Sequence, residues 1–555
     1  MAASAGLLAA LLATGASASP FRRATSDSSS TITSSASVAS ASNTIGLSVS
    51  DTFPPSNTLP DTSLFPPESV VGYPQPTPTG VEPFAVETAA FPMHTSIYPL
   101  TVPTTSNDSY NIAENWGNLS PAYSVSSSKY GLDSATPEIP ANCSITQVHL
   151  YFRHGARYPT TGSAPSKFAA KLHNASESAF SASGKLMFLN DWTYKLGAEL
   201  LTPFGRQQDF MLGVAARVEY GKLLNNFTEA GTLPVFRTQS QDRMVKTMLN
   251  FVGGFFGIPE YQDQVNIEIG VEAEGVVNSG APYDACKNAD LAPGSVGSKA
   301  AAVFVEPYFN ETAMRLNGEV SGVEFDATDI LAMLQLCAYE TVALGNSAFC
   351  DLFNEKEFRV FEQYYDISFY ANNGFGSPVA AAQGLGYLQE FVSRLNHTLI
   401  TNFSTGANET LDGNVTFPLN QSIYADAAHE VSIADALVAL NLTALAKSGA
   451  PDNTSLSSNH TYIASQIVPF ATALQVQVVE CSDMSPTKQI RFILNDAVVP
   501  LTYEGCPENK DGLCAFDTVL SALIKRIDEI DYDYDCNANY TVPYYGQVTN
   551  GRAPK

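Results

Sequence analysis

Val148-His149-Leu150-Tyr151-Phe152-Arg153-His154-Gly155-Ala156-Arg157-Tyr158-Pro159 is an apolar run that ends in two guanidinium groups flanking one imidazole. Such a run, followed by glycine, reads as a buried strand passing into a loop. At the carboxyl end of a parallel strand, ligands bind in the crevice beside the sheet, so His154 faces a pocket already charged for an anion. Phosphate fits that charge. Arginine presents a planar fork of donors matched to phosphate oxygens, and a neutral imidazole can attack phosphorus to form a covalent intermediate. An Arg-His-Gly triplet alone carries little weight, whereas the whole string Arg153 to Pro159 is far more specific.

The group expelled from a phosphomonoester is an alkoxide, which leaves reluctantly, so a nucleophilic His154 needs a proton donor. Only seven histidines are available. His429-Glu430 follows the small and apolar stretch 423–428 and precedes Ile433, Leu437, Val438 and Leu440, spaced as one helix face. That places the pair at a second strand-to-helix junction, where His429 would help bind phosphate at a helix N-terminus and Glu430 would be the acid. An ordinary capping carboxylate beside a structural histidine is the bland alternative. A third stretch, Val235-Phe236-Arg237-Thr238-Gln239-Ser240-Gln241-Asp242-Arg243, runs into the periodic Met244, Met248, Val252 and Phe255. Among the other histidines, His149 reads as a satisfied side chain of the first strand. His94 falls in the N-terminal tail, His397 and His460 lie inside glycosylation sequons, and His173 is ambiguous.

RHGARYP (153–159) resembles the active-site signature of the histidine acid phosphatases, the branch of the histidine phosphatase superfamily that includes fungal phytases. The phosphoglycerate mutase branch shares only the Arg-His-Gly core. YADAAHEVSIADALVALNL (424–442) is similar to the second signature of the family, in which His-Asp is usual and Glu430 here replaces the aspartate. The third stretch resembles the strand, loop and helix that bring a further arginine to the phosphate. That role is assigned by position to Arg237, with Arg243 as the fallback and otherwise a surface or helix-start ion pair. LGAELLTPFG (196–205), GFGSPVAAAQGLGYLQEF (374–391) and LNDAVVPL (494–501) extend the resemblance from Trp116 to the C-terminus, closest in look to fungal phytases.

The resemblance implies an α/β fold of the phosphoglycerate mutase-like kind. A large domain would hold a mixed, mainly parallel sheet flanked by helices and built from both ends of the chain. A smaller, mainly helical domain would be inserted roughly within 165–400. The resemblance also implies disulfides joining Cys143 to Cys481, Cys286 to Cys536, Cys337 to Cys350 and Cys506 to Cys514; an extra N-terminal pair of some fungal phytases has no counterpart. Arg153, Arg157, Arg237 and His429 would hold the phosphate and His154 would attack. Glu430 would protonate the leaving oxygen and later activate water, with no metal and no cofactor.

At 555 residues and 45% apolar composition the chain has ample material for a core. Residues 1–18 carry the apolar run Gly6 to Ala13 and then Ala16-Ser17-Ala18, as in a secretory signal with a small-residue cleavage site, though without a basic start. That run is well under the roughly 20 residues that span a bilayer, and no later segment is expected to do so. Arg22-Arg23 reads equally as a processing site or as two solvated charges. Residues 19–105 are dominated by Ser, Thr, Pro and Ala, so a disordered, O-glycosylated tail is expected ahead of a catalytic region at 106–555. About fifteen Asn-X-Ser/Thr sequons lie in the chain, with Asn402, Asn408, Asn414 and Asn420 at a six-residue interval in a decorated loop. With eight cysteines and no CxxC spacing, they favour a secreted, N-glycosylated protein, extracellular or at the cell wall. A net charge of -26 argues against nucleic acid and anionic membranes as partners. Asp531, Asp533 and Asp535 invite a calcium reading, but Cys536 and Val542 stand where an EF-hand loop needs Gly and Glu.

The functional expectation is an acid phosphoric monoester hydrolase working through a phosphohistidine, a phytase of the 3-phytase kind. Its partner would be a small anionic phosphomonoester, myo-inositol hexakisphosphate. Lys167 and Lys171, spaced to share a helix face after the signature, are candidate cations for so dense an anion, against the plain alternative of solvated lysines. A broad-specificity acid phosphatase is the first alternative. The second is an inactive relative kept as a cell-wall or binding protein, favoured by the tail and the Asp-to-Glu change and opposed by the intact His154 and arginines.

Overall fold

The structure is a computed structural model that describes residues 45–47, 100, 102, 110–403 and 405–555, all within the unit Asn43–Lys555. The expected signal peptide, His94 and most of the expected tail lie outside the described residues. Residues 45–47, 100 and 102 are the described part of that stretch. Gly46 N–H donates to the Trp192 carbonyl at 3.0 Å and Leu47 accepts from Tyr194 N–H at 3.0 Å. Leu100 is buried in the main core. Ile45 and Val102 pack against the same core, whereas Leu47 is exposed.

Strand β1 (Cys143–Arg153) is partly exposed over its first residues and continuously buried from Val148 onward, the pattern of a strand covered on both faces. It sits at the centre of an eight-stranded sheet with β2 (Val235–Gln239), β3 (Asn266–Gly270), β4 (Ile423–Ala428), β5 (Ala473–Cys481), β6 (Lys488–Leu494), β7 (Ala497–Val499) and β8 (Cys514–Ala515). The order is β8-β6-β5-β1-β4-β2-β3, with β7 paired to β6. From β1 outward through β4, β2 and β3 every pairing is parallel, and from β5 to β8 every pairing is antiparallel. The sheet is mixed, as the resemblance implied. Its antiparallel share is larger than implied, because the chain after residue 473 returns as a meander.

Helices α1 (Ala164–Ser176), α2 (Pro203–Tyr220), α3 (Asp242–Phe256), α4 (Val296–Asn317), α5 (Ala327–Leu344), α6 (Glu355–Asn372), α7 (Leu385–Asn396), α8 (Glu430–Ala439) and α9 (Phe516–Glu529) cover the sheet and extend beyond it. On one face Val148, Leu150 and Phe152 pack with Phe236 and with Met244, Met248, Phe251, Val252 and Phe255 of α3, the period read from the sequence. On the other face Tyr151 stacks on Tyr387 of α7 with ring centroids 3.9 Å apart. Helices α4 to α7 run between β3 and β4, inside the range 165–400. Among the described residues α5 alone is long and apolar enough to cross a bilayer, which corrects the expectation that no such segment exists, but it packs against α1 and α4 as a core helix. All four implied disulfides are formed. Asp531 caps the turn at Tyr534 and pairs with Lys555 at 2.7 Å, so the acidic run is locally engaged.

Candidate active site

The loop after β1 is shaped by its contact with the start of α2. Thr202 N–H donates to the Ala156 carbonyl at 2.9 Å, Gln208 Oε1 accepts from Ala156 N–H at 2.9 Å, and Tyr158 N–H donates to the Leu200 carbonyl at 2.9 Å. The approach leaves no room for side chains. A Cβ on Gly155 would lie 2.1 Å from the Gly205 carbonyl oxygen, and one on Gly205 would lie 1.9 Å from the Ala156 carbonyl oxygen. Thr202 caps α2 through its hydroxyl to Gly205 N–H at 3.0 Å, and Pro203 stands in the first turn where its missing N–H has no consequence. The LLTPFG segment is therefore the seat on which the Arg153-to-Pro159 loop rests.

His154, at the C-terminal end of β1, is fully buried. Its Nδ1 lies 2.8 Å from the Gly155 carbonyl, which can only accept, so Nδ1 carries the proton and Nε2 keeps its lone pair. Burial, reinforced by the Arg153 charge and opposed by Glu430, holds the imidazole well below its ordinary pKa, so it stays neutral in acid. Nε2 makes no hydrogen bond among the described residues and lies 3.4 Å from Glu430 Oε2.

Around it stand donors with unspent capacity. Arg153 is anchored through Nη1 to the carbonyls of Asn118 and Val468 and lies over the Phe470 ring at 4.4 Å, while its Nη2 is buried without a partner among the described residues. Arg157 donates to the Tyr158 carbonyl at 2.9 Å and keeps a buried Nε likewise unpartnered. Glu430 opens α8 with its carboxylate inside this group. Oε2 is 3.0 Å from Arg153 Nε, and Oε1 is 3.8 Å from Arg157 Nη2 and 3.4 Å from Asn118 Nδ2. Burial pushes the Glu430 acid up, but Arg153, His154 and Arg157 together hold it well below the usual carboxylate range. His429, which caps α8 in extended backbone, has its ring centroid 5.7 Å from that of His154, and its Nε2 bonds Glu272 Oε2 at 3.0 Å.

Arg237 does not join this group. It lies on β2 beside Asp426 of β4 and is held by Glu390 at 2.9 Å, Glu268 at 3.2 Å and Asp412 at 3.6 Å, under the Phe417 ring. Its assignment as a phosphate clamp is corrected. A side chain within a strand points to a sheet face, whereas the site lies beyond the strand ends. Arg243, in the first turn of α3, is the arginine that does reach the site. After burial, Arg157 is the strongest influence on its pKa, Glu430 also acts on it, and His154 feels its charge. It pairs with Glu199 at 3.1 Å, yet its Nε is buried and unpartnered among the described residues. Lys171 pairs instead with Asp329, the carboxylate of the α5 capping box, and Lys167 is exposed on α1 without a side-chain bond among the described residues. The proposed lysine pair is thus split, one member being structural.

Sequence reasoning missed Asn118, Glu272, Tyr283 and Tyr339. Asn118 stands in a sequon but is buried against Glu430, and Tyr339 of α5 lies against the Arg157 guanidinium. None carries a local signal, since each reaches the site from a remote segment. His149 is confirmed away from the chemistry, between Tyr424 and Phe391. It is not satisfied as expected: both ring nitrogens lack hydrogen-bond partners among the described residues, and burial keeps the ring neutral. His154, His429 and Glu430 offer ligand atoms within 4.8 Å of one another, but the arginines on the same side repel a cation and suit an anion.

A neutral imidazole whose lone pair opens among guanidinium groups, beside a carboxyl on a helix start, defines a phosphoryl-transfer centre built on a mixed α/β sheet. The family model of the histidine phosphatase superfamily (branch 2) matches residues 144–495, and the chain belongs to that family as a histidine acid phosphatase. Phytase A of Aspergillus awamori is 30% identical over 424 residues, covering 74% of this chain and 87% of the relative. Phytase A of Neurospora crassa is 27% identical over 464 residues, covering 74% and 89%. The crystal structure of the phytase from D. castellii shares the fold with a TM-score of 0.63 at 23% identity, over 79% of this chain and 91% of that one.

Proposed function

We propose that the protein is a secreted phosphomonoesterase that hydrolyses phytate through a phosphohistidine. The observation that carries the reading is the buried His154 Nε2, without a hydrogen bond among the described residues and under the charges of Arg153 and Arg243. The arginines and His429 bind the phosphoryl oxygens. Nε2 attacks phosphorus as the P–O bond to the leaving oxygen breaks and the P–N bond forms, and Glu430 gives its proton to that oxygen. Glu430, now ionised, takes a proton from water, whose oxygen displaces the imidazole and releases phosphate. Phytate as substrate is supported by the phytase relatives at about 30% identity. Secretion is supported by four disulfides, and glycosylation by exposed sequon asparagines such as Asn174, Asn226, Asn310 and Asn539.

A broad-specificity acid phosphatase is the second reading, favoured by the engagement of Lys171 with Asp329 and by the carboxylates Glu199 and Glu272 at the site, which leave fewer cations for a polyanion. Phosphate release from phytate and from nitrophenyl phosphate at acid pH, with chelator present, separates the two. Acid quenching of wild type with labelled substrate is expected to trap label on His154, and His154→Ala is expected to lose turnover while remaining folded. Full activity in that variant, or label on another residue, sinks the mechanism.

A further inference from the structure

We propose that Glu272 is a positioning residue for phosphate: its carboxylate orients the His429 imidazole and fixes the loop from which Arg243 reaches the same anion. The inference rests on the reading of His154 as the centre of a phosphate site. Glu272 follows β3, the edge strand of the parallel half, and its side chain is 2% exposed. Oε2 accepts from His429 Nε2 at 3.0 Å and from the Tyr283 hydroxyl at 3.1 Å. Oε1 accepts from the backbone N–H of Gln241 at 3.3 Å, and the Glu272 N–H donates to Ser240 Oγ at 2.9 Å. One residue therefore ties together the loop after β2, the segment after β3 and the junction after β4. Gln241 is the cap residue of α3, so the same carboxylate that orients His429 also sets the start of the helix that carries Arg243.

A carboxylate only accepts, so His429 presents an N–H at Nε2. The titratable and charged groups around His429 are Glu272, Tyr283 and Asp284 from the segment after β3, Glu430 next in sequence, His154 across the site, and Arg243 beside Tyr283. His154 is neutral and Arg243 cationic, while the Glu430 carboxylate is taken up by Arg153 and Arg157. Burial pushes the Asp284 acid up, and Glu272 pushes it further. Glu272 is thus the anion in direct contact. Burial pushes its acid up, but His429 and the other donors bring it below the ordinary value, so it stays ionised in acid.

Inorganic phosphate is the probe, with its inhibition constant measured against nitrophenyl phosphate hydrolysis in mild acid. Glu272→Gln keeps the shape but removes the counter-charge. It is expected to raise the inhibition constant about tenfold, with kcat within about threefold, the pattern of lost ground-state binding. On a His429→Gln background the added effect of Glu272→Gln is expected to be clearly smaller, because the part carried by His429 is gone and only the part carried by the Arg243 loop remains. If Glu272→Gln fails to fold, Glu272→Asp carries the test, since it keeps the charge and withdraws the reach; its smaller rise must also diminish on the His429→Gln background. An unmoved inhibition constant, or an undiminished loss without His429, overturns the proposal. If wild type neither hydrolyses the ester nor binds phosphate, the phosphatase reading falls with it, whereas wild-type inhibition with an unmoved variant overturns the Glu272 assignment alone.

Discussion

Glu430 carries a conflict that its aspartate counterpart, one methylene shorter, would meet differently. As folded, its carboxylate sits among the donors that a phosphoryl group needs, 3.0 Å from Arg153 Nε and 3.8 Å from Arg157 Nη2, and those guanidinium groups keep it ionised. A general acid must be protonated. The two demands reconcile if phosphate takes over the arginines: the carboxyl then loses its cations, gains an anionic neighbour and picks up a proton. Phosphate binding near pH 5 is therefore expected to draw protons from solution, read by calorimetry in two buffers of different ionisation enthalpy. Glu430→Gln should abolish that uptake and depress phytate hydrolysis by about 10²-fold or more, with a much smaller loss on nitrophenyl phosphate, whose leaving group needs no proton. Equal losses on both substrates would reduce Glu430 to a positioning role. At this scale the sequence was most legible where function is contiguous: Arg153, His154 and Arg157 share one loop, and His429 and Glu430 share one helix start. It was least legible for Asn118, Glu272 and Tyr339, which reach the same few ångströms from segments far apart in the chain.

At the scale of elements, the β1 loop and the N-terminus of α2 form one part. The resemblance flagged the LLTPFG segment without saying what it does; the close approach of Gly155 to Gly205 supplies the reason, since neither position has room for a Cβ. Gly205→Ala must push the Ala156 carbonyl, and with it the loop bearing His154, by more than an ångström. Displacements of that size at a reacting group cost on the order of 10²-fold in rate, so kcat per folded molecule is expected to collapse along with thermal stability. Gly213→Ala is the control. Its Cβ would lie 2.0 Å from the Phe251 carbonyl oxygen, so it disturbs the packing of α2 on α3 but not the catalytic loop. It should lower the unfolding midpoint while sparing kcat per folded molecule; if both variants lose kcat alike, the loop-seat argument is wrong. The Arg237 and Arg243 exchange belongs to this scale too. Choosing between arginines six residues apart required knowing where the strand stops and the helix begins, and element boundaries are what a single sequence marks least sharply.

Over the whole molecule, the sequence disclosed the fold class through its motifs, while the balance of parallel and antiparallel strands and the settings of buried charge emerged only from the assembled chain. Several carboxyl groups outside the His154 site are withdrawn from solvent. Burial raises Glu219, Glu268 and Asp535 each to about 7, and Asp412, beside Glu390, is raised as well. The sign follows from linkage. A carboxyl whose folded pKa exceeds its unfolded value binds more protons in the folded chain between the two, so its favourable contribution is complete below the ordinary carboxylate range and is lost as pH rises to about 7. Groups such as Glu430 and Glu272, which are lowered, act oppositely and lose their contribution only in stronger acid. The stability maximum is therefore expected in mild acid, with the unfolding midpoint falling by several degrees between about pH 5 and pH 7.5. Glu219 isolates one such group: its Oε1 accepts from Gln477 Nε2 at 3.1 Å, and Glu219→Gln is a near isostere of the protonated acid. The variant should match wild type near pH 4.5 and exceed it in stability near pH 7.5, measured by thermal unfolding. A variant that lowers stability equally at both pH values would show that the ionised carboxylate, not the protonated acid, is the form the fold is built around.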